Sequence, residues 1–249
     1  MTESLTLHIP SSPLAEGAFA IDIDKTTLSS IFHYIKQQNS ESFLVYGEKY
    51  WEFALVPKAA NPIIRYARQL WTLFWQTFRF NNYNSSKEIS FISMTESPSN
   101  ETKGTDFFCQ ERAKSQHLYE GKKVDILYPD NPITKKHFLF VTKAHRPTFN
   151  EITFEEFEEV ITLAKKVAGF YKGQKHFLFK TGLDAGQTVP HFHLHLMILE
   201  SQTESFIGRL KIFANILFNT IPFLHTRLQG AALENRVAYF KNEASFANT

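Results

Sequence analysis

Residues 186–199 read Gly186-Gln-Thr-Val-Pro-His191-Phe-His193-Leu-His195-Leu-Met-Ile-Leu199. Three histidines alternate with apolar residues over five positions. Alternate side chains of an extended strand share a face. The pattern therefore predicts a strand over 190–199 with His191, His193 and His195 in a row, and with Phe192, Leu194 and Leu196 packing on the other side. Each buried imidazole needs partners for its ring nitrogens, so three in five positions is an expensive composition for packing alone. A neutral imidazole, with an ordinary pKa of about 6.5, is a nucleophile near neutral pH. It can attack phosphorus and form a covalent phosphoramidate, while a neighbouring imidazole donates to the leaving oxygen or to equatorial oxygens. Gly186-Gln187-Thr188 adds a pliant backbone, an amide and a hydroxyl suited to phosphate oxygens. This chemistry requires no metal. His-x-His on a strand is also a metal-ligand spacing, and a set of structural histidines is the third reading.

Upstream, His137–Thr142 reads as a strand. Thr153-Phe-Glu-Glu156 fits a capping box, and Phe154, Phe157, Val160, Ile161, Ala164 and Val167 keep helical spacing to about Tyr171. Gly173 is the expected stop, and Phe177–Thr181 is a further strand. A helix between strands joined by short loops predicts an α+β domain.

The triad segment resembles the histidine triad (HIT) family, whose signature is His-φ-His-φ-His-φ-φ, and Gly186-Gln187-Thr188-Val189 matches that family too. A second block, Asn131-Pro132-Ile-Thr-Lys-Lys-His137-Phe-Leu-Phe-Val-Thr-Lys143-Ala-His145, is similar to the family's Asn-Pro strand region. Phe107-Phe108-Cys109 and Leu118-Tyr119-Glu120 more weakly resemble its opening strand. The resemblance covers roughly residues 105–200. It implies a HIT-like antiparallel sheet with a long helix, and hydrolysis or nucleotidyl transfer at the α-phosphate of a nucleotide conjugate of the dinucleoside polyphosphate or nucleoside phosphoramidate type. It gives His193 the part of nucleophile and His195 contact with phosphate and leaving-group oxygens. His191 is the supporting histidine whose carbonyl orients the nucleophile. It makes Gln187 and Thr188 phosphate contacts, sets His145 near the triad, and puts a base and ribose pocket between Phe107–Phe108 and Ile126–Tyr128.

Departures from the pattern matter. Many members bind ribose with an Asp where this chain has Pro129, and the acid here is one position later, Asp130. Lys180 stands where the family often has Asn or Gln near phosphate; it either binds extra phosphate charge or is solvated. His137 and His176 are expected to pack. Some members hold a structural zinc with two cysteines and two histidines. The matching positions here are Asp106, Cys109, His145 and His191, and the alternative is an inert Cys109. Members usually dimerise by joining two sheets, an arrangement the extra termini of this chain could block or replace. The competing functional reading is a nucleotide-binding or scaffolding module whose terminal extensions bind a partner or a membrane surface.

The chain's 249 residues make one large domain or two small ones. With 43% hydrophobic and 21% charged residues, wholesale disorder is excluded. Phe is overused, at 25 residues, which suggests a Phe-packed core or apolar surface for a partner. A net charge of +2, evenly spread, excludes a general nucleic-acid binder. The single cysteine, Cys109, allows no intramolecular disulfide and fits a reducing, cytoplasmic setting. The first residues lack the pattern of a secretory signal, and no run is long and apolar enough to predict a spanning helix.

Residues 81–104 read as a linker, which divides the chain into an α/β N-terminal extension (1–104), the HIT-like domain (105–200) and a helical C-terminal tail (201–249). Within the extension, a helix is expected over Leu28–Lys36 and a hairpin over 42–46 and 50–56. Asn61-Pro62 is a helix start, followed by an aromatic stripe flanked by Arg65, Arg68 and Arg79. That helix, 62–79, is expected to dock on the body; the other reading is peripheral contact with a membrane. The tail is expected to form a helix over 206–217 and a shorter one over 231–240, packed on the body or on a second copy. No internal repeat is visible in the sequence.

Overall fold

The computed structural model describes residues 2–10, 17–20, 24–38, 40–47, 50–59, 61–67, 70–71, 83–92, 104–200, 210, 213–215 and 227–243. His193–Leu199 is the last of ten strands: β1 (Thr2–Pro10), β2 (Gly17–Ala20), β3 (Phe43–Gly47), β4 (Tyr50–Leu55), β5 (Tyr83–Ile92), β6 (His117–Glu120), β7 (Val124–Leu127), β8 (Lys136–Thr142), β9 (Gln174–Thr181) and β10 (His193–Leu199). They form one antiparallel sheet in the order β5-β1-β2-β4-β3-β9-β10-β8-β7-β6. The helices α1 (Lys25–Gln37), α2 (Phe154–Phe170) and α3 (Ala231–Glu243) complete the frame.

The expected helix and hairpin of the N-terminal region are present as α1, β3 and β4, but they are not a separate appendage. β3 lies against β9, with Leu44 opposite Lys180 and Tyr46 opposite Leu178. The sheet is thus continuous across the segment read as a linker. Its two sides share one topology. In the C-terminal half β7, β8, α2, β9 and β10 follow in sequence, with β8 and β9 both pairing β10. In the N-terminal half β1, β2, α1, β3 and β4 follow in the same order, with β2 and β3 both pairing β4. Only the edge strand differs: β6 precedes β7 in the chain, whereas β5 follows β4. The repeat is one of topology without one of sequence.

Both long helices cover one face of the sheet. Asp24 caps α1 by accepting from Thr27 N at 2.8 Å. Thr153 and Glu156 close the expected capping box on α2. Leu28, Ile31, Phe32 and Ile35 of α1 and Phe157, Val160, Ile161 and Val167 of α2 bury against Phe43, Val45, Phe179, Leu194 and Leu196 of the sheet. The Phe excess goes here: Phe32, Phe149, Phe157, Phe179 and Phe192 form a chain of ring contacts with centroids 5.3–5.8 Å apart. Such pairs add about 0.5–1.5 kcal/mol each beyond area burial. The end of the tail docks on the same face. Phe240 of α3 packs on Tyr128 and Phe138, and Tyr171 Oη donates to Glu243 at 2.9 Å.

Several expectations are corrected. The strand carrying the triad begins at His193, because His191 N closes a tight turn onto Val189 O at 2.8 Å. Phe107–Cys109 is a 3-10 turn capped by Asp106. Asn61 caps the helical turn that follows, accepting from Ile63 N at 2.8 Å. Ile63 and Ile64 of that turn are exposed, at 78% and 49%, while Arg65 ties it to the body through Asp184. The rest of the 62–79 helix and most of the 206–217 helix lie outside the described residues. Among the described residues no helix is long and apolar enough to cross a membrane.

Candidate active site

The face of the sheet opposite α1 and α2 carries the histidines. Met197 on β10 shares that face with Leu178 of β9 and with Leu44 and Tyr46 of β3, which form an apolar floor. His193 and His195 stand next along β10, half-buried, with ring centroids 4.8 Å apart. Leu127, Leu139 and Val141 continue the face, with Phe107 and Phe108 packed over them. The Phe108 ring lies 5.2 Å from that of His193.

Hydrogen bonds fix where each ring proton resides. A carbonyl can only accept, so His193 Nδ1 donates to His191 O at 2.7 Å and Nε2 keeps a free lone pair. On the adjacent strand, Ile133 N donates to His137 Nδ1 at 3.0 Å. His137 therefore carries its proton on Nε2, which donates to His195 Nδ1 at 3.0 Å. His195 is left with Nε2–H as its donor. The two rings stack at 5.2 Å. Burial pulls His193 down to about 4 and His137 to about 3, and holds His195 well below the ordinary imidazole range. All three rings are neutral at neutral pH. A nucleophilic lone pair thus stands beside an N–H donor.

His191 does not continue the row. It is buried, its Nε2 donates to Thr142 O at 2.7 Å, and its Nδ1 faces a separate cluster. Asp106 Oδ2 lies 2.8 Å from His145 Nδ1 and 3.2 Å from His191 Nδ1. Cys109 Sγ lies 3.1 Å from Asp106 Oδ2, 3.7 Å from His145 Nδ1 and 3.6 Å from His191 Nδ1. The four donors all fall within 4.8 Å of one another. Gly104 closes over them, and a Cβ there would collide with His145 and Cys109 Sγ. One thiol, one carboxylate and two imidazoles converging at these spacings suit a tetrahedral divalent ion such as zinc. The His191 Nε2–H···O=C bond leaves Nδ1 deprotonated for ligation, as metal-binding histidines are normally held. The donor set fits the zinc that the family resemblance implies.

The other expected residues are dispersed. Gln187 is engaged within its own loop: Oε1 accepts from Gly182 N at 2.7 Å, and Nε2 donates to Pro147 O at 2.7 Å. Its amide braces the 182–191 loop where a phosphate contact was expected. Gly182 adopts φ +83°, and any Cβ would strike Glu41 O, so the loop leaves β9 against the N-terminal half. Asp184 of the same loop accepts from Arg65 Nε at 2.9 Å and Ala59 N at 3.2 Å. Thr188 is exposed. His145 belongs to the donor cluster. Asp130 offers its backbone carbonyl to Leu228 N at 2.7 Å.

Lys180 is the residue of β9 opposite His193, given Phe179 opposite Leu194. Sequence reading missed the parts of His137 and Arg65. His137 was legible in principle: it shares a strand face with Leu139 and Val141, next to the strand that carries the triad. Arg65 had no signal, because its partner lies 119 residues away.

Residues 110–201 match the model of the HIT domain, so the chain carries a HIT domain. Over 105 residues the chain is 29% identical to the nitrilase and fragile histidine triad fusion protein NitFhit of Caenorhabditis elegans, covering 40% of this chain and 24% of that protein. Over 96 residues it is 28% identical to the asymmetrical bis(5'-nucleosyl)-tetraphosphatase of Schizosaccharomyces pombe, covering 36% of this chain and 53% of that one. The chain thus spans about a quarter and about half of these relatives. A solved uridylyltransferase structure superposes over 99% of this chain and 85% of its own, with a TM-score of 0.54 and 12% identity. That likeness is one of fold, and it runs through both halves of the sheet.

Proposed function

We propose that the chain hydrolyses or transfers a nucleotide at the α-phosphate of a nucleotide conjugate, through a covalent nucleotidyl-His193 intermediate. The carrying observation is the bond from His193 Nδ1 to His191 O, which leaves Nε2 unprotonated and aimed by a fixed backbone atom. In the first step Nε2 attacks the α-phosphorus, a P–N bond forms, and the bond to the leaving group breaks with its electron pair. The developing imidazolium keeps its Nδ1–H bond to the carbonyl. The Nε2–H of His195 donates to phosphate oxygens. Water or an acceptor hydroxyl then attacks the phosphorus, the P–N bond breaks, and His193 is regenerated. Conjugates of the dinucleoside polyphosphate and nucleoside phosphoramidate types both suit this scheme. The similarity to a bis(5'-nucleosyl)-tetraphosphatase supports the first.

In this reading Asp106, Cys109, His145 and His191 hold a zinc ion whose contribution is structural. It would fix His191, and with it the carbonyl that orients His193. The N-terminal strands take the place of a second copy in completing the sheet. The exposed Ile63 and Ile64 favour a second reading, a binding module that offers this segment to a partner.

The test is a hydrolysis panel of diadenosine polyphosphates, a nucleoside phosphoramidate and a nucleotide sugar, using wild type and His193→Ala. Turnover that vanishes in the variant supports the mechanism. Normal rates in His193→Ala sink it. Nucleotide binding without turnover by the wild type favours the second reading.

A further inference from the structure

Among the described residues, Lys180 is a charge without a counter-charge beside the histidine pair. Its position on β9 is cross-strand from His193 on β10 and from Leu44 on β3. Side chains directly opposite one another in an antiparallel pair share a face, so the lysine rises from the histidine face, flanked by Leu44 and Leu178. Its charge is felt at both His193 and His195. Among the described residues no hydrogen bond or ion pair engages its ammonium, whereas the carboxylates of Asp106, Asp184 and Glu156 are all engaged elsewhere. Loss of solvent pulls it down to about 8, which leaves it mostly protonated at neutral pH. A partly desolvated cation lacking a partner destabilises a fold. Such a group persists most readily where an anionic ligand completes it.

We propose that Lys180 binds the β-phosphate of the substrate, the first phosphate of the leaving group, and so selects phosphoric anhydrides over conjugates with an uncharged leaving group. This rests on the functional reading above and narrows it. When the bond from the α-phosphorus to the bridging oxygen breaks, the electron pair goes to that oxygen and the β-phosphate departs with one more negative charge. The ammonium meets that charge without giving up its proton. An amine leaving group offers it no anion.

Binding separates this from catalysis. Calorimetric titration of the His193→Ala protein with ADP and with AMP reads the β-phosphate contact without turnover. ADP should bind about tenfold to a hundredfold more tightly than AMP, the range of a hydrogen bond to a charged group. Adding Lys180→Met should bring the two affinities together while leaving that for AMP unchanged, and Lys180→Arg should keep the preference. Thermal melts check that each variant is folded. An ADP preference that survives Lys180→Met overturns the proposal. So does an equal loss of AMP and ADP affinity, which would assign the lysine to the α-phosphate, and so does failure to bind either nucleotide. If the wild type turns over no conjugate yet the ADP preference depends on Lys180, the subsite stands and the hydrolase reading fails.

Discussion

His137 shows how one residue can prepare another without meeting the substrate. Its Nδ1 is taken by Ile133 N, so its Nε2 must donate, and His195 must present its own proton from the opposite nitrogen. His137→Phe keeps the ring and removes the donor. The expected outcome is a fall in kcat of about tenfold to a hundredfold with KM little changed, in the lower range for a general acid–base contribution. Partial recovery in His137→Gln would mark a positioning role, which a purely structural residue would not show in the kcat-against-KM split. Lys180 gives a second prediction at this scale. Its ammonium, facing neutral His193 and His195, loses its proton through about pH 8. For an anhydride substrate kcat/KM should fall as pH rises through that value, and Lys180→Met should lack this limb. Linkage gives a companion effect of opposite sense. The lysine is lowered from 10.5 on folding, so the unfolded chain binds more protons between about 8 and 10.5, and stability rises with pH across that window. The pair His193 and His195 was legible at this scale, since alternation with apolar residues sets it on the face opposite Leu194. What alternation could not reveal is that His191 turns away, because a turn at 189–191 precedes the strand.

At the scale of elements, the 3-10 turn at Phe107–Cys109 brings two donors to the ends of β8 and β10. The cluster Asp106-Cys109-His145-His191 joins segments that are otherwise separate in the sequence, so a metal there would tie the turn to the sheet. Protein purified without added zinc should contain about one zinc per chain, measured by plasma emission. Cys109→Ser and Asp106→Ala should lower that content and the melting temperature together. Metal-free wild type would exclude a zinc site at this cluster. The cluster was legible as a set of residues through the family resemblance, not through spacing, since an Asp replaces the first cysteine. The loop at 182–191 was less legible. Gln187 reads as a phosphate ligand from its neighbours, but Gly182 N and Pro147 O compete for its amide at 2.7 Å and take it. The capping box on α2 needed no tertiary information and was found where Thr153 and Glu156 stand.

For the whole molecule, the N-terminal strands are expected to decide the assembly. β9 would be an open edge without β3, and Phe43 and Phe53 would leave the core. The expected outcome in light scattering is a monomer near 28.8 kDa. A chain lacking residues 1–104 should be insoluble or oligomeric, and a stable monomeric truncation would contradict this. Little of this was visible in the sequence. β1, β2 and β5 carry no motif, and β1 meets β5 only across more than 70 residues, as between Thr2 and Ile92. The 81–104 stretch was legible as a change of composition, but β5 lies within it.

The shared topology of the two halves also has a kinetic meaning. β4 carries Tyr50-Trp-Glu-Phe-Ala-Leu55 where its counterpart β10 carries His193 and His195. In the proposed reading one half reacts and the other only completes the sheet. Within a single chain there is no sister centre to sense occupancy, so saturation should be hyperbolic, with a Hill coefficient of about one. A trapped nucleotidyl adduct should plateau at one equivalent per polypeptide.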